Sequence, residues 1–129
     1  MNEGEKARLI KSWIALAHAG EDSSEHAANF WAHSTLWDLN FEDPELCWGL
    51  ILRILQTDNS DAVIKQLSAG PLEDLLAQRG EQFIERLESE AQHNPSLRKL
   101  LGGLWQGEMS EEIWVRIQAA RDQGGPTVG

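Results

Sequence analysis

Glu81, Glu85 and Glu88 recur at i, i+4 and i+7, so they line one face of any helix that carries them. Carboxylates set this way can do acid–base work, but only if an apolar pocket or a close partner shifts their pKa. Nothing in the surrounding residues signals such a pocket. Like charges at this spacing cost a few tenths of a kcal/mol (~0.2–0.5), and no lysine four residues on neutralises them. Arg86 and Glu90 relieve only the adjoining face. The row therefore reads as a solvated acidic face or as a docking stripe for a basic protein, with Glu73 and Asp74 nearby in sequence joining it.

Other reactive side chains are few. Histidines stand at 18, 26, 33 and 93. His26 and His33 share a helix face but lie about 10 Å apart along the axis, too far for one ion. With Glu25 they would need ligands from another helix, so no metal and no cofactor is expected. Cys47 sits among Leu46, Trp48, Leu50 and Ile51, with no base to stabilise a thiolate, and reads as buried and inert. A single cysteine also excludes a disulfide framework within the chain. The chain has no Gly-x-Ser-x-Gly elbow and no P-loop. Gly102-Gly103 reads as a helix terminator whose free amides could bind an anion.

Six tryptophans and no tyrosine occur in 129 residues. Most read as core, and Trp48, Trp105 and Trp114 fall on apolar stripes. Trp37 is the exception. It extends a stripe with Phe30 and His33, while Trp31 points elsewhere on the same helix. A helix with two aromatic faces is either sandwiched or leaves one face exposed, so Trp37 is a candidate partner anchor.

The elements that must position these groups are helical. Thr occurs only three times, and no stretch alternates apolar and polar residues for long. Leu9, Ile10, Trp13, Ile14 and Ala17 form one helical stripe; Phe83, Ile84, Leu87 and Ala91 form another. Asp43-Pro44 and Asn94-Pro95 each place a cap before a proline at the first helical position, and Ser60 and Ser110 cap two further helices. These signals predict helices over 4–19, 24–40, 44–57, 61–69, 71–79, 81–93, 95–101 and 110–122. The 44–57 segment is apolar nearly all round and reads as the central helix. The pairs 44–69, 71–93 and 95–122 suggest a HEAT-like stack of short hairpins, with an irregular helical bundle as the alternative. The all-α chain reads as one domain over 1–122 and a flexible tail over 123–129.

Charge and composition exclude some classes. The net charge is −10, and residues 1–93 carry the whole surplus. That field repels nucleic-acid phosphates and anionic lipid and favours a basic protein partner. No apolar run approaches the ~20 residues needed to cross a bilayer. Met1 is not followed by a basic patch and an apolar segment, so no signal peptide is expected and a cytoplasmic location is inferred.

The run Ala69-Gly70-Pro71-Leu72-Glu73-Asp74-Leu75-Leu76, then Gly80-Glu81 with Phe83-Ile84, then Leu101-Gly102-Gly103-Leu104-Trp105, then Met109 and Trp114, resembles a family of small bacterial proteins classed only as a domain of unknown function. The resemblance extends upstream through Trp37 and the Asp43-Pro44 helix. It implies a bacterial cytoplasmic protein and brings no catalytic residue. Three functions stand open: a non-enzymatic interaction module, with an immunity-type inhibitor of a basic toxin or nuclease as its sharper form; a structural homodimer; and a small enzyme whose carboxylates and histidines converge only in the fold. Partner contacts are expected at Glu73, Asp74, Glu81, Glu85, Glu88 and Trp37.

Overall fold

Asn2 starts the first helix. Its side chain accepts from the Glu5 amide, and the Glu5 carboxylate accepts from the Asn2 amide, a reciprocal capping box. The computed structural model describes residues 1–122, so the expected tail over 123–129 lies outside the described residues. Seven helices occur among them, with no strand: α1 (Glu3–His18), α2 (Ser24–Glu42), α3 (Pro44–Thr57), α4 (Asp61–Ala69), α5 (Pro71–Ala91), α6 (Pro95–Leu101) and α7 (Glu111–Asp122).

The caps sit where the sequence puts them. Asp43 accepts from the Leu46 amide, Asn94 from Leu97, Ser60 from Val63 and Ser110 from Ile113. Pro44 and Pro95 come directly after their caps, where a missing N–H costs nothing.

The chain divides into two compact units, Met1–Gln66 and Leu67–Gly129, where the sequence reads as one domain. In the first, α1 packs on α2, and α3 packs against both. Its core takes Leu9, Ile10 and Trp13 from α1, Ala32 and Leu36 from α2, and Leu50, Ile51, Ile54 and Leu55 from α3. The near-absence of a polar face on α3 is thus matched by burial against two neighbours. The expected hairpin of α3 with α4 gives way to this packing.

In the second unit α5 lies against α7 and α6, and α6 against α7. Leu72, Leu75, Leu76, Phe83, Ile84 and Leu87 are buried along α5. The two helices expected over 71–79 and 81–93 meet within α5 at a kink, where Arg79 leaves helical geometry (φ −131°, ψ 29°). Gly80 follows the kink directly, and its missing side chain also serves packing. A Cβ there would lie 3.1 Å from Ile113 Cγ2 of α7.

Candidate functional site

Ser23 caps α2 by accepting from the His26 amide, and this cap sets where the helix starts. Ala32, Leu36 and Asn40 then turn inward, four residues apart. His26, Phe30, His33, Trp37 and Phe41 fall on another face at intervals of four, three, four and four, so they stack along the helix. The rings touch within two groups, His26–Phe30–His33 and Trp37–Phe41. His26 and Phe30 have centroids 5.8 Å apart, Phe30 and His33 5.2 Å, and Trp37 and Phe41 5.4 Å, edge to face. Phe30, Trp37 and Phe41 are nevertheless 46, 48 and 45% exposed. Trp31 lies off this row, half-buried, with the Arg8 guanidinium 4.7 Å above its ring. Of the two alternatives for an aromatic helix, the structure takes the one that leaves a face open.

A cleft of about 190 Å³ opens beside the upper end of the row. Trp13, Leu16, Ala17 and Ala19 form one wall, Glu21 stands in the α1–α2 turn, His26, Phe30 and His33 form the other wall, and Gln66 contributes from α4. Trp13 itself is buried, and its indole Nε1 has no acceptor among the described residues. Further along α2, Phe30, His33, Ser34, Trp37 and Asp38 line a shallower depression. The row, the cleft and the depression form one continuous face of the first unit, sharing Phe30 and His33.

The remaining expected site residues lie on α5 in the second unit. Glu81 and Glu85 are exposed, and Glu73 and Asp74 are half-buried in the first turn. Glu88 is tied up in a two-pronged ion pair with Arg116 of α7, with Nε donating at 2.9 Å to one carboxylate oxygen and Nη2 donating to the other. That pairing raises the Arg116 pKa, chiefly through the hydrogen bonds to Glu88. The base that the row lacks at i+4 therefore comes from another helix, bonded to Glu88 and also attracted by Glu85.

One cluster has the composition of a hydrolytic triad. His18 Nε2 lies 2.9 Å from Asp58 Oδ2 and 3.4 Å from Ser60 Oγ. Carboxylate and hydroxyl share one ring nitrogen, whereas a triad needs them on opposite nitrogens. Ser60 also donates its amide to Asp58 Oδ1 at 2.9 Å. The Ser60 side chain, then His18, hold the Asp58 carboxyl below its usual range. The cluster clips the end of α1 to the start of α4.

Cys47 is fully buried, with Asn40 Nδ2 3.9 Å and the Leu36 carbonyl 4.0 Å from its sulfur. Among the described residues no three His, Cys, Asp or Glu side chains converge as a metal set. The amides of Gly102 and Gly103 are not free for an anion, because they donate back to Lys99 and Leu100 carbonyls at 3.2 and 3.0 Å. Trp105 departs furthest from expectation. It is 76% exposed, because the chain leaves α6 after Leu101 and no helix carries it.

Residues 19–125 match the family model described as a family of unknown function, DUF6869. The chain belongs to that family. The DUF6869 match begins one residue after α1 ends, so it includes the aromatic face of α2 and leaves out Trp13. Neither the curated proteins nor the solved structures yield a match. Among the described residues no helix is long and apolar enough to cross a membrane.

Proposed function

We propose that this protein is a non-enzymatic interaction module of the cytoplasm, which holds a basic segment of a partner protein against the aromatic face of α2. The exposed row of Phe30, Trp37 and Phe41 carries the reading. Large apolar rings stacked in solvent along one helix are the composition of an interface core rather than of an ordinary surface.

Charge selects the sign of the partner. Between Lys11 and Arg53 the chain has no lysine or arginine and seven carboxylates: Glu21, Asp22, Glu25, Asp38, Glu42, Asp43 and Glu45. Lysine or arginine flanking an apolar segment would meet Asp38 and Glu42 while its stem lies on Trp37. A second copy of this chain would instead set acid against acid, which disfavours the homodimer. Glu81 and Glu85 offer charge too, but no large exposed apolar side chain lies on α5 beside them. A sharper form of the proposal is an immunity-type inhibitor that masks the basic surface of a toxin or nuclease, since opposite potential speeds capture.

The test uses a fluorescein-labelled amphipathic peptide with leucine on one face and lysine on the other, and a counterpart with glutamate in place of lysine. Anisotropy should show binding of the basic peptide only, weakened about tenfold by Trp37→Ala as for an anchor residue. Equal binding of both peptides, or no change in Trp37→Ala, would overturn the reading.

A further inference from the structure

We infer that the cleft between α1 and α2 is an arginine pocket, the anchor point at which one cationic side chain is inserted. Its volume of about 190 Å³ decides the scale. That is below the ~300–1,000 Å³ of sites for small-molecule ligands, and it suits one side chain. Its lining decides the chemistry. The charged and titratable groups are Glu21 from the turn and His26 and His33 from α2. The α1 wall of Trp13, Leu16, Ala17 and Ala19 carries none, and α4 supplies the neutral amide of Gln66. On α2 itself, Glu25 and Asp38 add negative charge near either end. No lysine or arginine lines the cleft, and its one carboxylate is that of Glu21.

A guanidinium answers each part of this lining. Its planar fork matches a carboxylate with two parallel hydrogen bonds. Its face stacks on an aromatic ring such as Phe30, whose flank is open. Ring nitrogens of His26 and His33 and the Gln66 carbonyl accept its remaining N–H groups, and its methylene stem lies along Leu16 and Ala17. An ammonium lacks the fork and the face. The inference deepens the docking proposal by naming the anchor residue of the basic segment. It is testable without any partner.

The probe is N-acetyl-argininamide, monitored by NMR at the indole N–H of Trp13, which is buried in the cleft wall. Its neutral isostere N-acetyl-citrullinamide and acetate are the controls. Argininamide should give a saturable shift and citrullinamide none, because only the guanidinium carries the charge and the fork that meet Glu21. Glu21→Gln, a change in an exposed turn, should weaken binding about fivefold. An unsaturable shift, equal binding of citrullinamide, or a saturable response to acetate would overturn the pocket. None of these results bears on whether the amphipathic peptide needs Trp37, so the two proposals fail separately.

Discussion

Trp37 and Phe41 meet edge to face with ring centroids 5.4 Å apart, one helical turn from each other, and both remain nearly half exposed. Their mutual contact hides some apolar area but leaves most of the pair in water, while Leu36, one residue away, is buried in the core. The two faces of α2 therefore do different work. Trp37→Ala and Phe41→Ala should each cost no more than about 1 kcal/mol. Leu36→Ala should cost about 2–5 kcal/mol, as should Ile51→Ala in α3. Urea denaturation of the three α2 variants and Ile51→Ala separates the classes.

Gly80 and Ile113 bring α5 and α7 close together, with 3.1 Å between a built Cβ and Ile113 Cγ2. Alanine normally favours a helix over glycine by up to ~1 kcal/mol. Here the clash should reverse that sign, so Gly80→Ala should lower stability by about 1 kcal/mol or more. Trimming the neighbour in Gly80→Ala/Ile113→Val should recover part of the loss. Additive losses in thermal melts of the double variant would contradict the contact.

Asp58 gives a pH signature. Its folded pKa lies below the usual 3.8, because Ser60 and His18 favour the carboxylate. The ionised form is thus the one that stabilises the fold. That contribution is present above 3.8 and fades as pH falls through the lowered folded value. Asp58→Asn should lower the melting temperature at neutral pH, and the gap to the wild type should close in strong acid.

Glu88 and its two neighbours on α5 should differ as well. Glu88→Gln breaks a two-pronged pair with Arg116 whose side chains are about one-third exposed, so the loss should stay within about 1 kcal/mol. Glu81→Gln and Glu85→Gln remove exposed charges and should be neutral or slightly stabilising by relief of repulsion. Denaturation of the three single variants at low salt reads the contrast.

Local chemistry is legible in the sequence and long-range placement is not. Asp43-Pro44, Asn94-Pro95, Ser60 and Ser110 announce their helices because a cap acts within three residues. Phe30, His33 and Trp37 announce a stripe for the same reason. Phe41 escapes because α2 runs to Glu42, two residues past the expected end, and only there does Phe41 become the i+4 neighbour of Trp37. Gly80 reads as a helix end, and the kink at Arg79 lies beside it, but its contact with Ile113, 33 residues away, has no local signal. The Glu88–Arg116 pair spans 28 residues, and the cleft draws on α1, a turn, α2 and Gln66. No periodicity links those segments. Trp105 reads as core because tryptophan buries a large area, whereas it follows the end of α6 at Leu101 and is exposed.

The most direct measurement of the central claim is an NMR map of the basic amphipathic peptide on the full-length protein. The account predicts that resonances of His26, Phe30, His33, Trp37 and Phe41 shift together and saturate with one affinity, and that added salt slows association. Shifts confined to Glu81, Glu85 and their neighbours on α5, with the α2 rings unmoved, would contradict it.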